Sequence, residues 1–172
     1  IGNLRLKSDT GTGPFDVDQD AGVDQELSTG SGFWGIQPSV TTVYRTDPAV
    51  LYGSLSYLFN VPEDIDEVSN GNRIGRVDPG DTIGAGIGMG FSVNQELSFN
   101  LGYSHSFVLP TEQEVNGVVQ ESNGFDVGTL NLGFSLGLAD NYSISADIGV
   151  GVTEDAPDIT VTFSTPLSFP LF

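Results

Sequence analysis

The sequence has no cysteine. That excludes a disulfide framework and any thiolate metal site. Cations are scarce: five Lys and Arg stand against 23 Asp and Glu, for a formal net charge of −18. Affinity for a phosphate backbone comes from Lys and Arg, so no nucleic-acid partner is expected. There is one histidine, one methionine and one tryptophan. No apolar run reaches the ~20 residues of a membrane-spanning helix. No amino-terminal signal peptide is recognisable, and helical periodicity is close to absent. The 172 residues suffice for one domain of ordinary size. Ile1 reads as mid-strand sequence, which predicts that the chain begins inside a longer precursor.

What the chain has instead is glycine, 23 residues of it, with nine prolines. In Asp81 to Val93 (DTIGAGIGMGFSV), glycine falls at 84, 86, 88 and 90. Phosphate-cradling loops use other glycine spacings. Period two belongs to a strand, whose side chains alternate faces, so this segment has one apolar face and one bare face. Leu97–Leu109, Leu130–Leu138, Tyr142–Thr153 and Ile159–Phe169 alternate in the same way. Trp34–Tyr44 and Leu51–Phe59 do so less cleanly, and Leu4 and Leu6 alternate with Arg5 and Lys7. Strands are predicted at about 1–8, 32–45, 48–60, 81–93, 96–109, 125–138, 141–153 and 159–171. Most reach the roughly 9–11 residues of a tilted strand that crosses a bilayer, against about 5–6 for an ordinary strand.

The connections alternate in length. Residues 9–31, 61–80 and 110–124 read as long polar loops, with 154–158 as a shorter member of the same series. Tight turns fall near Arg45–Asp47, Val93–Gln95 and Ala139–Asn141. Outer-membrane barrels combine short periplasmic turns with longer extracellular loops. The acidic residues follow that division: six lie in 9–31, six in 61–81, three in 110–124 and three in 154–158. Trp34, Phe59, Phe107 and Phe125 would form an outer aromatic belt, and Tyr44, Phe91, Tyr142 and Phe169 an inner one. The fold class expected is all-β, an antiparallel transmembrane β-barrel in the bacterial outer membrane. Its apolar face meets lipid, and its glycine face lines the lumen. A closed barrel leaves no unpaired strand edge in hydrocarbon.

Four stretches carry a family resemblance: DPAVLYGSLSYLFN (47–60), GRVDPGDTIGAGIGMGFSVN (75–94), LGYSHSF (101–107) and VGVTEDAPDITVTFSTPLSF (150–169). Over about residues 32–169 the chain resembles the outer-membrane family named for the phenol-degradation meta pathway, whose members are generally taken to be transporters. A barrel group that exports amyloid subunits is similar more loosely. The resemblance implies a barrel of about twelve strands, of which the eight read here would be the C-terminal part. It also implies passive passage of small apolar or aromatic molecules. Alternatives are a secretion channel for an extracellular polypeptide, or a non-conducting structural or surface-assembly protein. Outer-membrane barrels commonly end on an aromatic residue in phase with the lipid face; Phe169 is in phase and Phe172 is not. Pro38 and Pro166 lie inside predicted strands, where each removes a ladder donor, so a bulge or local break is expected at each.

Few residues are candidates for chemistry. Arg5, Lys7, Asp126 and Asp147 are expected on the lumen side as selectivity residues. Asp147 would meet water or a cation such as Arg5 or Lys7, because a lone buried carboxylate is costly. In DVDQDAGVDQE (16–26), Asp16, Asp18 and Asp20 match alternate ligands of an EF-hand calcium loop, and Asp24 matches a later one. The glycine, Gly22, is one place late and the acid, Glu26, one place early. Either a calcium site or a solvated acidic loop fits that pattern, and no other cofactor is implied. His105 falls on the lipid-side phase, with Ser104 and Ser106 on the other face, so no nucleophile–base pair forms and no enzyme is expected. The expected partners are the lipid bilayer, lipopolysaccharide and small solutes, with a homo-oligomer as a further candidate.

Overall fold

The computed structural model describes residues 1–11, 13, 19–20, 23–24, 30–69, 71–139 and 142–166. Every regular element among them is a strand. In chain order these are β1 (Gly2–Lys7), β2 (Gln19–Asp20), β3 (Val23–Asp24), β4 (Gly35–Arg45) and β5 (Ala49–Asn60). Next come β6 (Glu63–Ser69), β7 (Asn72–Asp78), β8 (Thr82–Ser92), β9 (Leu97–Val108), β10 (Glu112–Val115) and β11 (Val118–Glu121). The last three are β12 (Phe125–Ala139), β13 (Tyr142–Gly151) and β14 (Ile159–Ser164).

The eight predicted strands form one antiparallel sheet, in the order β1-β4-β5-β8-β9-β12-β13-β14. Each strand pairs with the next one that the tight turns and long loops deliver, so the topology is an up-and-down meander. Among the described residues β1 and β14 are the end strands of this order and do not pair with each other. Short turns are fixed locally. The Asn94 side chain accepts hydrogen bonds from the backbone N–H of Glu96 at 2.8 Å and of Leu97 at 2.7 Å, which folds the chain between β8 and β9.

Register sorts the side chains into two faces. One row runs Tyr44, Leu51, Met89, Leu101, Leu132, Ile148 and Val161 across seven strands. The next polar-face row runs Val43, Tyr52, Gly88, Gly102, Asn131, Gly149 and Thr160. The apolar rows are not covered: Leu101 is 42% exposed, Leu132 43% and Val161 51%. In water so large an apolar surface would drive association. In hydrocarbon it is matched to its solvent, and the alternate face can be polar. Near the turns, Phe91 and Phe99 stack with centroids 5.5 Å apart, and Phe99 meets Phe134 at 6.5 Å. The inner belt therefore includes Phe99 and Phe134 beside the expected Phe91. Phe125 departs from expectation: its partner is Val108, which pairs with Thr82, so it shares the polar-face phase.

Two of the predicted loops are ordered strands. Residues 61–80 contain the β6–β7 hairpin and residues 110–124 the β10–β11 hairpin, and the two pair into a four-stranded sheet, β11-β10-β7-β6. Its core is Phe33, Ile74 and Val77, with Ile65 and Val115 packed against them. Asn116 and Gly117 both have positive φ, at 52° and 80°, as a two-residue type I′ hairpin turn requires. Asn116 also joins the hairpins. Its side-chain oxygen accepts the Arg73 N–H at 2.9 Å, and its own N–H donates to the Arg73 carbonyl at 2.8 Å. Gly117→Val places a β-branched residue at a positive φ. We expect it to destabilise this hairpin by about 1–2 kcal/mol, seen as faster protease cleavage near residue 117. Heat-modifiable gel mobility, which reports the eight-stranded sheet, should not change.

Proline is accommodated without a register shift at Pro38. β4 pairs with β5 at Ile36–Phe59 and again at Ser39–Ser56, with the intervening rungs missing. Of the two expected accommodations, a bulge or a local break, the structure shows the local break. Pro166 lies beyond the end of β14 at Ser164, so it interrupts no described strand. Phe169 and Phe172 are outside the described residues. The long-loop end of β5 and β8 is clasped by Asp81. Its carboxylate accepts the Tyr57 hydroxyl and, at 2.9 Å, the Asn60 N–H. The Asn60 side-chain amide donates to the Gly80 carbonyl at 2.8 Å, and the Gly80 N–H donates to the Thr111 hydroxyl at 2.9 Å.

Candidate functional site

The polar face of the eight-stranded sheet is built from small residues. Ser54, Gly86, Ser104 and Thr129 follow one another across four strands, and Ser39, Ser56, Gly84 and Ser106 form the adjacent row. Such a wall offers hydroxyls and bare backbone and little bulk. Its glycines are occupied by their neighbours' side chains. A Cβ on Gly84 would approach the Ser56 hydroxyl oxygen to 2.6 Å, and one on Gly86 the Ser54 oxygen to 2.9 Å.

Tyr52 is larger than its neighbours in these rows. Its ring leaves β5, crosses β8 and ends over β9. A Cβ on Gly88 would collide with the ring carbon bearing the hydroxyl and with the hydroxyl itself. One on Gly102 would lie 2.7 Å from the same hydroxyl. The two glycines pair directly with each other, so together they form a flat seat. Tyr52 stays 37% exposed. Period-two counting puts Tyr52 on the polar face, and this is why Leu51–Phe59 alternates poorly. Its seat, however, lies on two other strands and appears only with the register.

One row nearer the turns, Asn100 and Asp147 meet over Gly133. The three residues are register partners on β9, β12 and β13. A Cβ on Gly133 would strike both the Asn100 amide and the Asp147 carboxylate, so only glycine leaves room for the pair. Ser98, Ser135, Ser145 and Gly90 line the same recess, and the Ser145 hydroxyl lies 3.2 Å from that of Ser135. Asp147 is therefore on the polar face, as predicted. Of the expected partners, water or a cation such as Arg5 or Lys7, the two cations are on β1, at the other end of the strand order from β13. Arg5 pairs with Gln37 and Lys7 with Gly35, which keeps both on the polar face. The cation in the register row of Asp147 is Arg45, reached through Val50, Gly90, Asn100 and Gly133.

Asp126 requires a correction. Its register partner is Phe107, which pairs with Ile83, so Asp126 stands on the apolar face and not on the lumen side. There it joins a small polar cluster. The Tyr103 hydroxyl and His105 Nδ1 are 2.6 Å apart, and His105 Nε2 lies 3.4 Å from an Asp126 carboxylate oxygen. Gly128 makes the space, since a Cβ there would come within 2.8 Å of the Tyr103 hydroxyl. Phe107 covers the imidazole, with ring centroids 4.1 Å apart. His105 is on the apolar face as expected, between Ala85 and Gly128, while Ser104 and Ser106 are on the other face. Among the described residues, the cross-strand neighbours of the imidazole on its own face are Ala85 and Gly128, not serines.

Of the proposed calcium ligands, Asp16, Asp18 and Glu26 lie outside the described residues. Asp20 and Asp24 fall in the short β2–β3 ladder, which describes their backbone only.

Two comparisons bear on this arrangement. A family model described as "Putative MetA-pathway of phenol degradation" matches residues 13–169. The crystal structure of an outer membrane channel from Pseudomonas putida F1 is similar in fold, with a TM-score of 0.66 at 14% sequence identity. The match covers 95% of this chain and 57% of that one, so the chain spans little more than half the length of that channel. At that identity the likeness carries the fold alone: the wall of an antiparallel β-barrel.

Proposed function

This chain belongs to the MetA-pathway phenol-degradation family, and from that membership we propose that it forms the wall of a channel for passive passage of small apolar or aromatic solutes. It is a protein of the bacterial outer membrane. The observation that carries the reading is the two-faced register. Rows such as Leu51, Met89, Leu101, Leu132 and Ile148 suit hydrocarbon. The Gly, Ser, Asn and Thr rows behind them suit a water-filled lumen. A wall of small residues leaves volume for a solute. Tyr52 and the Asn100–Asp147 pair, both on the polar face, then face the passage.

Conductance of the protein purified from outer membranes, reconstituted in planar bilayers, tests the reading. Discrete current steps are expected, with block by small aromatic solutes. Silence from protein verified as folded by heat-modifiable mobility would overturn it. Charged groups on a lumen wall tune which ions pass. Asp147→Asn is expected to lower the cation-over-anion permeability ratio by roughly twofold, read from the reversal potential across a salt gradient. Asp126→Asn should leave the ratio unchanged, because that carboxylate faces away from the lumen.

A further inference from the structure

We propose that Tyr52, together with Asn100 and Asp147, forms a binding site on the lumen wall for a neutral planar ring that carries a hydroxyl. The inference rests on the channel reading and adds to it a place and a chemistry.

A tyrosine standing upright from a strand would offer its edge to the lumen. Tyr52 instead lies over Gly88 and Gly102, whose missing side chains let the ring settle against the backbone. The hydroxyl end of the ring is thereby held against the wall, and the residue keeps 37% of its surface exposed. An exposed aromatic ring pinned at one end is a stacking surface, and offset stacking is a preferred arrangement for a second ring.

The second element is a polar group at the right separation. Tyr52 ends at Gly102 on β9, and Asn100 is the next polar-face position of that strand. Successive positions on one face of a strand are roughly 7 Å apart, about the span of a six-membered ring with one substituent. Asn100 and Asp147 converge there over Gly133. The carboxylate accepts a hydrogen bond from a hydroxyl, and a charge-assisted bond is stronger than a neutral one. A ring stacked on Tyr52 can thus direct its hydroxyl into the Asn100–Asp147 recess. The same carboxylate repels anions, so the site takes the neutral form of an ionisable solute.

The test uses phenol, cyclohexanol and toluene with the protein purified from outer membranes. Binding is measured by calorimetry in detergent micelles, and current block in planar bilayers. Phenol is expected to bind more tightly than cyclohexanol, which has the hydroxyl but is not planar, and than toluene, which lacks the donor. Tyr52→Leu should weaken phenol binding by about fivefold or more, while Tyr52→Phe keeps it within about twofold. Asp147→Asn should weaken phenol and leave toluene unchanged. If Tyr52→Leu shifts all three probes equally, or shifts none while lowering the unfolding midpoint, Tyr52 only packs the wall and the proposal falls. Binding that depends on Tyr52 in a protein that conducts nothing would uphold the site and overturn the channel. Conductance without such binding would do the reverse.

Discussion

Leu132→Arg is expected to destabilise the folded protein in lipid vesicles by about 2–4 kcal/mol, while its neighbour Asn131→Arg costs far less. Leu132 is near the middle of β12 and pairs with Leu101 and Ile148 in an apolar row. A guanidinium there would stand at mid-depth in hydrocarbon, with no neighbouring carboxylate in its register row. Asn131 points to the other face, beside Gly102 and Gly149, where an arginine can reach water. The two substitutions differ by one position and introduce the same residue, so helix or strand propensity cannot explain a difference between them. The check is urea unfolding in vesicles, followed by the heat-modifiable gel band. Equal losses at the two positions would mean that both faces meet the same environment, and the membrane reading would fail.

Gly88→Ala is the second large effect. In an exposed strand, Gly→Ala at a permitted backbone conformation stabilises by about 0.4–1 kcal/mol through the unfolded chain. Here the added methyl would strike Tyr52 and come within 2.8 Å of the Leu101 carbonyl oxygen. Overpacking of that kind costs about 1–3 kcal/mol, so the net sign is destabilising. Gly90→Ala is the control, because its methyl would meet nothing closer than the Phe99 carbonyl oxygen at 3.7 Å; it should be neutral or mildly stabilising. Combining Gly88→Ala with Tyr52→Ala should recover the part of the loss that comes from the ring, leaving the part due to the carbonyl. A purely additive double mutant would show that the ring does not rest on Gly88.

The eight spanning strands were legible because their pattern is simple. Period-two alternation, sustained over Thr82–Ser92 or Leu97–Val108, has no helical counterpart, and the tight turns bound it. The two hairpins of the four-stranded sheet were not legible for physical reasons. Glu63–Ser69 and Glu112–Val115 are mostly acidic, and their sheet has a small core. Alternation also fails inside β7, where Ile74 and Val77 are both buried although three apart. The pairing of β10 with β7 slips between Gln113 and Val115, and that of β6 with β7 between Asp64 and Glu67. Asp66 takes a positive φ at the second irregularity. The readable signal was Asn116–Gly117, an Asn-Gly dipeptide between two strand-like pairs of residues. Asp126 was misplaced for a related reason. Phe125 looks like a belt aromatic, and accepting it as lipid-facing reverses the phase of its neighbour. The seat of Tyr52 and the meeting of Asn100 with Asp147 depend on cross-strand partners, which no single segment contains.

Consider finally how β5 and β8 find their alignment. Moving β8 by two residues would keep every apolar side chain on the apolar face and would still put a glycine beneath Tyr52, since Gly86, Gly88 and Gly90 are interchangeable in that respect. The glycine run is thus a repeating track that carries almost no positional information. The Asp81 clasp is unique: it holds Tyr57 and Asn60 at one end of the same pair of strands. Only one alignment of β8 brings that carboxylate to both donors. Fidelity of assembly in this pair is therefore vested at the end of the strands, in one acidic residue, while the long glycine track between them is free of that task.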